Sequence, residues 1–271
     1  MSRYSVYNYA FDNPACFIDP DGREGTSTHT DKDGNVVAVY NDGDLGIYKH
    51  KDLSKWNRKD KLDNSGKEVM KMGETEYWDE FSNHTSTNEI VITKDTYGNS
   101  ANPQAHINFG ISKDDYVKQI NDEYSKIATD KASWQAKKIL ESRSRNGKEY
   151  DIKVKIGEAE GYLFKGKYLT GESLGNYLFG INVSSLFDNN TWTLKMFYDK
   201  DGFFRDVMRA AGQLHIKQNK VNNPTVPPYY GEINYSGRNI VNGYYQENAT
   251  QFFQSFRNIG TGAIYGEIIY K

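Results

Sequence analysis

The sequence is short of the residues on which several protein classes depend. It has one cysteine, Cys16, among 271 residues, which excludes an internal disulfide framework and any cysteine-based zinc ribbon or finger. None of its apolar runs approaches the ~18 residues that a membrane-spanning helix needs. The first residues also lack the apolar core of a secretory signal. We therefore expect neither a membrane span nor a signal peptide in this chain.

The net charge of the chain is also close to zero. The formal net charge is −2, and residues 151–271 carry 13 basic and 11 acidic side chains, so charge alone does not indicate a nucleic-acid partner. Aromatic residues, by contrast, are abundant: the chain has 21 Tyr, 13 Phe and 4 Trp. The mean hydropathy is low, at −0.80, but disordered chains are typically poor in aromatic rings. The aromatic content therefore indicates a folded protein, and the low hydropathy indicates that it has long polar stretches.

The apolar periodicity predicts an α+β fold. Strand and turn signals predict a hairpin over 25–50, whereas residues 51–75 are predicted to form an exposed charged loop. Strands are further predicted over 150–156 and 263–270, and helical spacing predicts helices over 112–128, 131–144, 173–186, 200–218 and 232–245. These patterns divide the chain into residues 1–24, a β-rich and loop-heavy module over 25–150, and a mainly helical domain with short edge strands over 151–271.

His215 is the only histidine of residues 151–271 and the first candidate for chemistry. An imidazole titrates near neutral pH, which suits a general acid or base, although His215 could also be a structural residue at the edge of an apolar helix face. Glu232 begins the next predicted helix. It is a candidate partner of His215, or an ordinary carboxylate that complements the positive end of the helix dipole.

The remaining candidates are residues that could contact a substrate. Asn176 lies off the apolar face of its helix and could bind a carbonyl or phosphate, or satisfy a neighbouring backbone group. Arg238 could hold a phosphate through two hydrogen bonds, although most arginines are surface residues or pair with carboxylates. Two lysines could contact phosphate and two tyrosines could stack on bases or pack in the core: Lys165, Lys167, Tyr230 and Tyr235. Gly180, inside a predicted helix, favours close helix packing.

No metal site or cofactor is predicted. One histidine with scattered carboxylates lacks the ligand spacing of a zinc site, whereas an oxygen-only magnesium site is compatible with the sequence. The phosphate-binding P-loop, the GxGxxG fingerprint and the serine nucleophile elbow are all missing.

Three parts of the chain resemble a known family of toxins. The segment 7–22, YNYAFDNPACFIDPDG, resembles the end of the core of Rhs/YD-repeat polymorphic toxins of the Bacteroidetes type. Residues 28–50 and 72–81 look like a linker module that precedes such toxins. Residues 151–271 resemble the polymorphic toxin type 44 class through KGKY at 165–168, SLGNYLFG at 173–180, AGQLH at 211–215, YYGE at 229–232, Tyr235 and Arg238.

The resemblance implies an antibacterial effector that is secreted and delivered into target cells. It further implies a ribonuclease that needs no metal, with His215, Glu232 and Arg238 as the catalytic residues, RNA as the substrate, and an Rhs shell and a cognate immunity protein as partners. Two alternatives stay open. One is a cell-envelope glycan hydrolase that uses Glu172 and Glu232. The other is an inactive truncated cassette, because the repeats that build the shell do not precede residue 1.

Overall fold

The computed structural model describes residues 25–57, 60–77, 80–81, 90–91, 105–189, 193–219, 225, 229–232, 234–249 and 251–252. The chain forms both helices and mixed sheets, so the predicted α+β class is confirmed. The segment 1–24 and the strand predicted over 263–270 lie outside the described residues.

A five-stranded mixed sheet occupies the N-terminal part. Its strands are β1 (Thr26–Thr30), β2 (Val36–Asn41), β3 (Gly46–His50), β4 (Val69–Glu74) and β5 (Ile90–Val91), arranged in the order β4-β3-β1-β2-β5. The hairpin predicted over 25–50 joins residues 36–40 to residues 45–48 through the turn at 41–44. Both strands form, but this pairing is wrong, because β1 lies between them, antiparallel to β2 and parallel to β3. The loop prediction for 51–75 is wrong at its end, because β4 pairs with β3 there.

A three-stranded sheet and seven helices follow in the described chain. The strands are β6 (His106–Ser112), β7 (Glu160–Phe164) and β8 (Lys167–Thr170). The helices are α1 (Asp114–Asp130), α2 (Ser133–Arg143), α3 (Ile152–Ile156), α4 (Gly171–Asn189), α5 (Thr193–Phe197), α6 (Lys200–Asn219) and α7 (Asn234–Tyr245). All five predicted helices are therefore confirmed.

The strand predicted over 150–156 is wrong, because α3 occupies most of it. The alternation of Ile152, Val154 and Ile156 suggested a strand, but a helix brings the first and last of these to one face. Ile152 is fully buried against α4 residues such as Leu174, while Val154 is 61% exposed. Packing against α4 thus outweighs the local pattern.

The helices of residues 105–150 belong to the same packed body as those that follow. Tyr124 of α1 and Leu140 of α2 share one hydrophobic core with Val183 of α4 and Phe204 of α6. Strand β6 also pairs in parallel with β7. The boundary predicted at residue 150 therefore passes through a single core, which sequence composition did not reveal because the contacts that cross it join residues far apart in the chain.

Helices α4 and α7 approach each other through two glycines. A Cβ on Gly180 would lie 2.1 Å from the carbonyl oxygen of Ile240, and a Cβ on Gly243 would lie 2.1 Å from that of Tyr177. Neither distance is compatible with any side chain, so the packing role predicted for Gly180 is confirmed. The contact is reinforced by the buried Asn239, whose Nδ2 donates to Ser173 Oγ at 3.0 Å.

Two histidines of the first sheet form a buried hydrogen-bonded pair. His29 Nδ1 lies 2.8 Å from His50 Nε2, and His29 Nε2 lies 3.1 Å from Ser27 Oγ, which donates to Asp42 at 2.8 Å. Burial, and next the nearby His50, lowers the pKa of His29 to about 4. Burial also lowers the pKa of His50. Both rings are therefore neutral in the folded protein at pH 7.

We expect Gly180→Ala to destabilise the fold by about 3 kcal/mol, because the new methyl group overlaps backbone of α7 and the helices must separate. Gly175→Ala is the matched control on the same helix, since a Cβ there would meet nothing closer than 3.9 Å, and it should stabilise by about 1 kcal/mol through helix propensity. Urea unfolding measures both. Equal effects of the two substitutions would contradict the close contact.

We expect the fold to lose stability as the pH falls from 6.5 towards 4. An unfolded histidine titrates near 6.5, so the lowered pKa of His29 means that the folded state binds fewer protons in this range. The loss attributable to His29 is about 3 kcal/mol. Unfolding at several pH values should show a smaller pH slope in His29→Gln than in the wild type. Identical slopes in the variant and the wild type would refute the assignment.

Candidate functional site

A broad groove lies between α4, α6 and the chain that joins α2 to α3. Its volume is about 1130 Å³. Helix α4 contributes Asn176 and Phe179, helix α6 contributes Leu214 and His215, and the start of α7 contributes Ser236. The groove therefore combines apolar surface with a few polar groups, as is typical of ligand sites.

His215 and Glu232 meet at this groove. The distance from His215 Nδ1 to Glu232 Oε2 is 3.6 Å, and the two side chains are 22% and 10% exposed. Both line the groove. The two residues predicted from sequence are thus brought together at one groove, where each could exchange a proton with a bound substrate.

A glycine on α6 makes this meeting possible. A Cβ on Gly212 would lie 2.0 Å from the carbonyl oxygen of Tyr230 and 3.1 Å from the nitrogen of Glu232. The loop that precedes α7 turns sharply here, with φ of 50° at Tyr230 and 106° at Gly231. Because His215 follows Gly212 by about one helical turn, the close crossing at Gly212 puts Glu232 beside the imidazole.

The carboxyl of Glu232 is tuned by its surroundings. Burial raises its pKa, and this is partly offset by the charge of His215, a hydrogen bond from Ser236 and the charge of Lys153. A raised carboxyl pKa strengthens the carboxylate as a base and brings its titration closer to neutral pH. Glu232 is therefore suited to exchange protons.

Asn176 lines the same groove. Its Nδ2 is buried and has no hydrogen-bond partner within the part of the chain that the structure describes. A buried amide nitrogen without an acceptor is costly, and a bound acceptor oxygen would remove that cost. The sequence prediction of a binding role for Asn176 is compatible with this position.

Arg238 does not reach the groove. It lies on α7 about 200° around the helix from Ser236, on the opposite face. The side chain is 1% exposed, and its guanidinium lies 4.3 Å from the centre of the Tyr77 ring. The predicted contact of Arg238 with a substrate phosphate beside His215 is therefore corrected, because the arginine is enclosed against the N-terminal segment.

The other predicted contact residues also lie elsewhere. Lys165 and Lys167 are in the β7–β8 hairpin, where their Nζ atoms donate to Tyr177 Oη at 2.6 Å and to Glu74 Oε2 at 2.7 Å. Tyr230 is a core residue, 3% exposed. The backbone of Tyr235 is in α7, but its side chain lies outside the described residues.

Sequence reasoning missed the basic residues of the groove. Lys153, Arg145 and Lys148 line it from the α2–α3 side, and Lys217 lines it from the end of α6. In the sequence these residues sit among acidic ones, without a motif. Arg145, Lys148 and Lys153 come to lie on one wall of the groove only because α2 and α3 pack against α4.

Comparison with models of known families, with curated proteins and with solved structures gives no match to this chain. The resemblance to Rhs toxins thus stays a prediction. Within the described residues, no helix has the length and apolar character needed to cross a membrane. No group of three or more His, Cys, Asp or Glu is placed to hold a metal ion in that same part of the chain.

We expect Glu232→Gln to stabilise the fold above neutral pH. A carboxyl whose folded pKa is raised binds more protons in the folded state, so it lowers stability as the pH rises from its unfolded pKa of about 4.3 through the folded value. The variant should therefore show a flatter decline in unfolding free energy between pH 5 and 8 than the wild type. Glu247→Gln, an exposed control, should behave as wild type. A loss of stability at pH 8 in Glu232→Gln would mean that attraction to His215 outweighs burial.

Proposed function

We propose that the chain is the effector part of an antibacterial polymorphic toxin and that its helical part is a ribonuclease that needs no metal. The observation that carries the chemistry is the 3.6 Å approach of His215 Nδ1 to Glu232 Oε2 in a groove open to substrate. A paired imidazole and carboxylate are one acid and one base, and cleavage of RNA through its own 2′-hydroxyl needs one of each.

In the proposed reaction Glu232 takes the proton of the ribose 2′-hydroxyl. The 2′-oxygen attacks the adjacent phosphorus, the bond from phosphorus to the 5′-oxygen breaks, and the imidazolium of His215 protonates that leaving oxygen. The products are a 2′,3′-cyclic phosphate and a free 5′-hydroxyl. Proton transfers of this kind contribute about 10²–10⁴-fold each.

The pentavalent phosphate requires a positive charge nearby, and Lys153 is the residue we assign to it. Lys153 lines the groove and is close enough to lower the pKa of Glu232. A cation in a partly dehydrated groove stabilises developing negative charge more strongly than one in water. Lys153 thus replaces the buried Arg238 in the role first assigned to that arginine.

The biological setting follows from the sequence resemblance. We propose that an Rhs shell carries the effector out of the producing cell and that it acts inside the target cell. The producer would then need an immunity protein against its own toxin. Acidic side chains on that partner would complement the cations that line the groove.

The full chain should cleave single-stranded RNA in the presence of EDTA and leave DNA of the same sequence intact. We expect His215→Ala and Glu232→Gln to lower the cleavage rate at least about 100-fold. Expression in bacterial cytoplasm should arrest growth with loss of RNA, and both variants should relieve the arrest.

The chain provides a matched control for this experiment. His106 Nδ1 lies 3.0 Å from Glu160 Oε2. The two side chains are 32% and 36% exposed, more than those of His215 and Glu232, but neither residue lines the groove. His106→Ala should keep full activity. Cleavage that survives in His215→Ala, or that is lost equally in His106→Ala, would contradict the assigned roles.

A glycan hydrolase is the second candidate, and one observation favours it. Glu172, in the first turn of α4, lines the same groove as Glu232, and two carboxyl groups at one groove are the requirement for glycoside cleavage. The raised pKa of Glu232 would then suit the general acid. In this case the substrate would be the glycan of the cell envelope.

Glu172→Gln separates the two candidates. It should leave RNA cleavage unchanged if His215 and Glu232 act alone, but it should abolish glycan cleavage if the carboxyl pair acts. Toxicity after export to the periplasm, with cell lysis, would select the hydrolase. A folded chain that harms neither compartment would contradict both enzymes and favour the inactive cassette.

A further inference from the structure

The wall of the groove that joins α2 to α3 carries unpaired positive charge. Arg145, Lys148 and Lys153 all line the groove. In the described part of the chain no carboxylate lies within 4.0 Å of any of the three. Arg145 and Lys148 are exposed, and Lys153 is half-buried.

Two basic residues close by on the same segment are paired with carboxylates. Arg143 does not line the groove, and it pairs with Glu123 at 2.7 Å and with Glu149 at 3.1 Å. Lys137 lines it but has Glu141 at 3.9 Å. Among the described residues, Lys138 and Lys155 have no carboxylate within 4.0 Å either and do not line the groove, so the lack of a carboxylate partner is not special to the groove. Water or a ligand anion must neutralise the three cations that do line it.

Besides Glu141, two acidic residues line the groove from this part of the chain, and they differ: Glu158 is exposed and offsets part of the charge, whereas Asp151 does not. Asp151 is 8% exposed, and its Oδ2 accepts a hydrogen bond from the backbone nitrogen of Gly147 at 2.7 Å. Its carboxylate is therefore used to hold the loop that carries Lys148. Glu172 and Glu232 belong to other elements, α4 and the loop before α7.

We propose that Arg145, Lys148 and Lys153 form a binding track for the phosphate groups of single-stranded RNA on either side of the bond cut by His215 and Glu232. The track rests on the proposed nuclease function, which supplies the cleaved bond. Three unpaired cations along one wall match the repeated charge of a phosphate backbone, whereas a neutral glycan has no use for them.

The rest of the groove suits unpaired bases. Phe179 and Leu214 both line the groove, and Leu214 is 58% exposed. With phosphates on the cationic wall, bases lie over this apolar surface. A duplex hides its bases, so the arrangement selects single strands.

The test is the salt dependence of binding. The full chain is titrated with a fluorescent 2′-O-methyl RNA of about 12 nucleotides, which keeps the phosphates but cannot be cut through the 2′-hydroxyl. Each phosphate contact on a single strand contributes about 0.7 to the slope of log K against log salt. The triple variant Arg145→Gln, Lys148→Gln, Lys153→Gln should make the salt dependence shallower, reducing the magnitude of the slope by about 2.

The control removes three exposed lysines of the N-terminal part: Lys32→Gln, Lys55→Gln, Lys67→Gln. It changes the net charge equally and should leave the slope as in wild type. The double variant Arg145→Gln, Lys148→Gln alters only exposed side chains, so its fold is retained, and its slope should fall by about 1.4. Thermal unfolding verifies the fold of each variant.

The outcomes separate the track from the chemistry. An equal slope in the triple and control variants overturns the track, even if the wild type cleaves RNA. A slope that falls only in the track variants supports it, even if unmodified RNA stays uncut, and in that case the nuclease function fails by itself. Wild-type binding that does not weaken with salt also overturns the track.

Discussion

The close contact of α4 with α7 is the constraint on which the rest of the described structure depends. It exists because Gly180 and Gly243 leave each backbone open to a carbonyl of the other helix. At this distance the rotation of α7 is fixed. Ser236 and Ile240 then face the groove, whereas Arg238 and Asn242 face the N-terminal segment, where Asn242 donates to Tyr77 Oη. One helix therefore serves two surfaces.

The buried arginine shows how the first sheet and the helical body are joined. Tyr77 lies between Arg238 and Asn242, and the nearby Glu80 accepts a hydrogen bond from the backbone of Thr170 at 2.5 Å. Lys167 adds an ion pair to Glu74 at 2.7 Å. Buried charges are retained only where other polar groups compensate them. Arg238 is thus best understood as the anchor of this junction.

The candidate site was predictable where a residue type alone limits the chemistry. His215 is the single imidazole of residues 151–271, and Glu232 was predicted at the start of the helix that follows a break, so their pairing could be anticipated, although α7 begins two residues later. Lys165 and Lys167 had equally suggestive motifs but lie on a hairpin away from the groove. Lys153 and Ser236 gave no signal. Which face of an element points to a groove depends on packing between distant segments, and a motif does not record it.

The sequence by itself determined the α+β class, the five long helices and the packing role of Gly180, because periodicity and glycine placement act over one or two turns. It misassigned 150–156 and placed a domain boundary inside a core. Only the tertiary structure decided that β6 pairs with β7, that α1 and α2 join the helical core, and that His215 meets Glu232 but not Arg238. The reason is physical: these contacts join residues far apart in the chain, and their free energy comes from burial that no local segment provides.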